Sequence, residues 1–201
     1  MTYFQFGSIT IPAVWLASII SLFLAASYSK LFLRQHAGDW YWNAFFLYFI
    51  VWKLSYIFFH FKLFLDMPLS ILYFNGGTKG HFLALASLSF YLLKIAKNKH
   101  PSLSLEGANI FLLFFISYEV IINILEKNVL EASAHVIVCT SYLFLLLFFK
   151  KNNIFLSKQM FLFILFIELF LLSIFDRFLT IETSTFIWIG FTIFNLFEKE
   201  R

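Results

Sequence analysis

The sequence predicts an all-α, polytopic membrane protein with about seven transmembrane helices, its N-terminus outside and its C-terminus inside. Three observations carry this. Charged residues make up 13% of the chain, against roughly 25% in soluble domains. Thirty-one Phe among 201 residues exceed what a soluble core can bury. Apolar residues also fall in long runs, near the roughly 20 residues that cross the hydrocarbon layer, separated by short polar clusters. Links this short leave room for one membrane domain, residues 1–201, and no separate soluble one.

The first ten residues carry no Lys or Arg, which argues against a cleavable signal peptide. A first span is expected from Ile11 to Leu33, with Pro12 in its first turn, where a missing N–H costs nothing. Arg34-Gln-His-Ala-Gly-Asp39 breaks the pattern. The second span runs from Trp40 to about Leu65, holds Lys53 and His60, and stops at Asp66-Met-Pro68. Leu69 to Phe74 is too short to cross. With Asn75-Gly-Gly-Thr-Lys-Gly80 it reads as an interfacial or re-entrant segment ending in a glycine turn. The third span is expected from His81 to Ala96, followed by the loop Lys97-Asn-Lys-His-Pro-Ser102. Then come Leu105 to Leu125, Val129 to Phe149, Met160 to Phe175 and a short last span, Thr185 to Phe197.

Basic residues set the orientation. Alternate links carry ten Lys and Arg on one side of the membrane and four on the other. The richer side is cytoplasmic, which puts the N-terminus out, the C-terminus in, and requires an odd number of spans. The same count explains the net charge of +4 as headgroup anchoring, with no nucleic-acid partner.

Ionisable groups inside a bilayer cost about 2.5–3.5 kcal/mol each at mid-helix, so they mark partners or function. On this topology His60, Lys62, Lys79, His81, Glu119, Asn123, Glu131, His135 and Arg177 all fall toward the outer side. Lys53 and Glu168 fall near mid-depth, and Lys53 is expected to pair with Glu168 or Glu119. Glu119 and Asn123, four apart, share a helix face. Glu131, His135 and Cys139 form a similar stripe. The pattern implies a polar cavity open to the outer leaflet. Cys139, alone in the chain, reads as a small buried hydrophobe. No metal-binding spacing and no cofactor motif stands out.

Asn75-Gly-Gly-Thr-Lys-Gly-His81, preceded by Pro68 and an apolar stretch, resembles the prolipoprotein diacylglyceryl transferase (Lgt) family, whose members carry x-Gly-Gly-x-x-x-His-Gly-Gly ahead of the third span. Phe4-Gln-Phe-Gly-Ser-Ile-Thr-Ile11 is similar to the phrase that stands before the family's first span. The resemblance is clearest over residues 4 to 85. It implies seven spans with the N-terminus outside, and a reaction at the outer leaflet. There a diacylglyceryl group passes from phosphatidylglycerol to a lipoprotein cysteine, and glycerol phosphate leaves. By this analogy His81 and Arg177 are the catalytic candidates, and Asn75, Gly76, Gly77, Glu119, Asn123, Glu131 and His135 are candidates to bind substrate. The chain departs from the family where Gly-Arg-x-Gly-Asn-Phe-x-Asn should fall. Glu119-Val-Ile-Ile-Asn-Ile-Leu-Glu126 stands there, and only Asn123 fits. The two glycines after the histidine are Phe82 and Leu83, and Pro12-Ala-Val-Trp15 replaces the tyrosine of the first span.

Three readings stay open. One is a divergent Lgt-like transferase of the cell membrane. Another is a non-catalytic relative that binds phospholipid, a lipoprotein precursor or another membrane protein. The last is a small transporter.

Overall fold

The computed structural model describes residues 2–7, 9–33, 37–98, 103–152 and 154–198. Arg34, Lys99, Lys199 and Arg201, which enter the basic-residue count, lie outside the described residues, as does most of the 97–102 loop.

The described chain is α-helical apart from one hairpin. β1 (Tyr3–Phe6) and β2 (Ile9–Pro12) pair antiparallel, with Phe6 opposite Ile9. Gly7 takes a φ of +63° in the tight loop between them, a conformation that suits two-residue hairpin turns and that glycine adopts freely. Pro12 then leads directly into α1 (Ala13–Tyr28), which widens into a π-helical turn over Ser29–Leu33. Ala13, Ala17, Ser21, Ala25 and Ser29 recur every four residues and are all buried, so α1 presents one small-residue face for close packing.

The remaining helices are α2 (Asp39–Phe59), α3 (Phe61–Asp66), α4 (Ser70–Tyr73), α5 (Gly77–Asn98), α6 (Leu103–Leu125), α7 (Val129–Asn152), α8 (Lys158–Ile174) and α9 (Ile181–Glu198). Four helical stretches are long and apolar enough to cross a membrane: Ala13–Leu33, Asp39–Phe59, Leu103–Leu125 and Val129–Asn152. Ile181–Phe197 is a shorter apolar helix. The all-α class expected from composition is therefore observed, with helices suited to a membrane protein.

The chain divides into two compact units. One comprises Met1–Ala37 and Ser104–Phe197. Its core forms around α6, the most buried of the apolar helices. Phe115 of α6 stacks on Phe186 of α9 with ring centroids 4.0 Å apart. Phe111 meets Phe161 of α8 and Phe186. On α7, the Tyr142 hydroxyl donates to Asn109 Oδ1 of α6 at 3.1 Å, deep in the apolar packing. The π-helical turn packs on α7.

Two helix ends in this unit share one geometry. After α6, Lys127 takes φ +63°, Asn128 N–H donates to Asn123 O, and Lys127 N–H donates to Ile124 O. After α8, Asp176 takes φ +56°, Arg177 N–H donates to Leu172 O, and Asp176 N–H donates to Ser173 O. Both are Schellman endings, which satisfy the last carbonyls of a helix and reverse the chain sharply.

The other unit comprises Gly38–Leu103 with Glu198–Arg201, and α2 packing along α5 dominates it. The structure differs here from the expected second span. The apolar run of α2 breaks at His60, whose φ of −132° and ψ of 42° are not helical, and α3 restarts the chain. The glycine segment does turn, with Gly77 at φ +58°, and it does more. Asn75 Oδ1 accepts from Gly77 N–H at 2.9 Å, and Gly77 to Gly80 form the first turn of α5. Gly76 and Gly80 flank that turn because a Cβ on either would fall on Ser55 Oγ of α2. The glycines let two helices approach closely.

Candidate functional site

The first candidate site lies in the α6–α9 unit, at the end where α6 and α8 finish and α7 and α9 begin. The Schellman ending of α8 turns Arg177 back over the bundle. Its Nη1 donates to Asn123 Oδ1 at 2.7 Å and lies 3.7 Å from Glu119 Oε2 and 3.5 Å from Glu131 Oε2. The Thr183 hydroxyl donates to the Arg177 carbonyl at 2.8 Å, which fixes the loop. Asn123 is held in turn by its own amide, which donates to the Glu119 carbonyl, and by the Asn128 side chain. The spacing of four between Glu119 and Asn123 therefore does place both on the face that Arg177 covers.

Deeper in the same unit, His135 Nδ1 of α7 donates to Glu168 Oε2 of α8 at 2.9 Å, with both side chains buried. Glu119 lies within electrostatic reach of both. The observed partners of the mid-depth charges differ from those expected. Glu168 is taken by His135, and Lys53, in the other unit, donates to the Leu72 carbonyl at 3.0 Å. The reason is geometric: the α3–α4 segment brings a free helix-end carbonyl within reach of the Lys53 ammonium.

The second candidate site lies in the α2–α5 unit. The Tyr48 hydroxyl and His81 Nδ1 are 2.6 Å apart, with the rings edge to face. When the hydroxyl donates, the ring proton sits on Nε2. His81 opens the second turn of α5, one residue beyond Gly80. The α3–α4 segment lies at the same end of α2. It is tied down by Tyr56, whose hydroxyl donates to Ser70 Oγ at 3.0 Å and whose ring stacks on Phe74. Leu63, Leu65, Met67, Leu69, Leu72 and Tyr73 of this segment are exposed. Lys62 and Lys79 are exposed too, and Lys79 Nζ lies 5.9 Å from the Phe59 ring centroid.

The sequence-predicted residues thus fall into two groups. Glu119, Asn123, Glu131 and Arg177 are brought together, with His135 one layer deeper beside Glu168. His81, Asn75, Gly76 and Gly77 belong to the other unit. Sequence reasoning passed over Tyr48, which nothing local marks, and left Glu168 out of the site, although a carboxylate within an apolar run is itself a signal. Among the described residues, no group of three His, Cys, Asp or Glu could hold a metal ion.

No family model, curated protein or solved structure matches this chain. The likeness to the Lgt family rests on the residues quoted above.

The arrangement limits the chemistry of Arg177. A guanidinium that is to hold a leaving phosphate needs donors free to face it. Here Nη1 already donates to Asn123 and faces two glutamates, whose charge opposes a phosphate beside it. The His81 end offers a different combination, in which a positioned imidazole and lysines stand beside exposed apolar surface.

Proposed function

We propose that this chain is a divergent Lgt-like protein of the cell membrane that holds phospholipid at the outer leaflet, binding the lipid rather than transferring its diacylglyceryl group. In this reading α5, α8 and α9 cross the bilayer together with the four apolar stretches named above. That makes seven spans, with the N-terminus outside and the C-terminus in the cytoplasm. The end of α2 that carries α3, α4 and the start of α5 then lies at the outer headgroups.

The observation that carries the proposal is the 2.6 Å contact of Tyr48 with His81, on the glycine motif where the family resemblance is strongest. Lys62 and Lys79 supply positive charge for a lipid phosphate, and the exposed apolar side chains of α3 and α4 offer a surface to acyl chains. Phosphatidylglycerol is the expected lipid by analogy, with a lipoprotein precursor or another membrane protein as a further partner. Binding is favoured over transfer because Arg177, the cation that the analogy assigns to the phosphate, is already engaged by Asn123, Glu119 and Glu131.

The test is retention of radiolabelled phosphatidylglycerol or phosphatidylcholine by the purified chain in detergent. The wild type retains phosphatidylglycerol preferentially, and His81→Ala with Tyr48→Phe removes the preference. Equal retention of both lipids by the wild type overturns the lipid reading. Restored lipoprotein maturation in a strain lacking its own transferase would replace binding by catalysis.

A further inference from the structure

The polar cluster of the α6–α9 unit has a charge imbalance that its own side chains do not resolve. Three carboxylates, Glu119, Glu131 and Glu168, face one guanidinium and one imidazole. Glu119 is 2% exposed, and His135 and Glu168 are 0% exposed. Among the described residues, Glu119 Oε2, Glu168 Oε1 and His135 Nε2 are buried without a hydrogen-bond partner.

The pairs can be matched one by one. His135, if it carries its second proton, balances Glu168 at 2.9 Å. Arg177 balances one carboxylate. Glu131 is the nearer, at 3.5 Å, and although its Oε2 is also buried without a hydrogen-bond partner, its side chain as a whole is 21% exposed. Glu119 lies farther, at 3.7 Å, and is closed to water. The other groups around Glu119 add no cation: Tyr118 beside it on α6, Glu182 on α9, and Glu126 near Tyr118 at the helix end. A buried carboxylate without a full counter-charge takes up a proton instead of staying ionised.

We propose that Glu119 is a binding site for one exchangeable proton inside the helix bundle, filled and emptied from the end where Glu131 and Arg177 reach the surface. In the filling step a hydronium ion at Glu131 gives up its proton, an O–H bond forms on the Glu119 carboxyl, and a water molecule is left behind. Arg177 then belongs to Glu131 and Asn123. In the emptying step the Glu119 O–H bond breaks, the proton passes to a water molecule at Glu131 to re-form hydronium, and the guanidinium is shared by both carboxylates. This site is independent of the lipid-holding end of the α2–α5 unit.

The experiment is infrared spectroscopy of the full chain in lipid nanodiscs at neutral pH, with and without exchange into deuterated water. The wild type is expected to display a protonated-carboxyl C=O stretch that shifts on exchange. The band should disappear in Glu119→Gln, whose side chain copies the neutral acid, and weaken in Glu131→Gln, which leaves Arg177 to Glu119 alone. Glu119→Asp, which moves the band without deleting it, serves the same purpose if the glutamine variant does not fold. Absence of the band in the wild type, or its persistence unmoved in both Glu119 variants, overturns the proposal.

Discussion

Replacing His135 or Glu168 by leucine, singly and together, tests how the α6–α9 unit is held. The two side chains are 1% and 0% exposed and meet at 2.9 Å, one from α7 and one from α8. Removing either partner leaves the other buried and uncompensated, which costs about 3–5 kcal/mol. Removing both leaves two apolar groups of similar size, and such replacements are close to neutral. The double variant is therefore expected within about 1 kcal/mol of the wild type, with a coupling energy of about 5–9 kcal/mol. That exceeds the 0.5–3 kcal/mol usual for neighbours, because each single change strands a charge. Unfolding by SDS in mixed micelles, followed by tryptophan fluorescence, measures all four chains. Single variants that lose less than about 1 kcal/mol, or a double variant equal to the sum of the two, would refute a buried, coupled pair.

Arg177→Met removes the 2.7 Å charge-assisted bond to Asn123 and is expected to cost about 1.5–2 kcal/mol, near the low end for such bonds because the side chain is partly exposed. Arg177→Lys should recover only part of this in the same unfolding assay, since a single ammonium cannot serve three partners in the guanidinium's geometry. Gly80→Ala puts a Cβ on Ser55 Oγ and 3.3 Å from Ser55 Cβ and the Trp52 carbonyl, an overpacking worth about 1–3 kcal/mol. Adding Ser55→Gly should return most of it. The same rescue should fail for Gly76→Ala, whose Cβ also meets the Gly80 backbone at 2.9 Å. In a Cys139→Ser background, an impermeant maleimide should label Lys127→Cys from outside intact cells and Lys151→Cys only after permeabilisation. The opposite pattern reverses the proposed orientation.

Much of this fold could be read from the chain because apolar runs and polar breaks are physical necessities in a bilayer. The limits of α6, α7 and α8 fall within a few residues of the expected spans, marked by Glu126-Lys-Asn128, Lys150 and Asp176. The spacing of four that joins Glu119 to Asn123 was equally legible, since helical periodicity fixes it. Other features depend on distant partners. Nothing near Glu168 in the sequence says that His135, 33 residues away, is its counterpart. Gly76 and Gly80 looked like a turn because glycine permits one, and Ser55 on another helix makes them a packing surface too. The N-terminal hairpin follows the alternation of Tyr3 to Ile11 around Gly7, and the expected first span took in only its last two residues, Ile11 and Pro12. The break at His60 has no proline or glycine to announce it.

Native mass spectrometry of the intact chain, released from membranes without added lipid, addresses lipid holding most directly. The account predicts a wild-type population carrying one phosphatidylglycerol per chain, and a Tyr48→Phe, His81→Ala chain of unchanged fold that flies without it. A wild type free of phospholipid, or a double variant that carries the same lipid to the same extent, would contradict it.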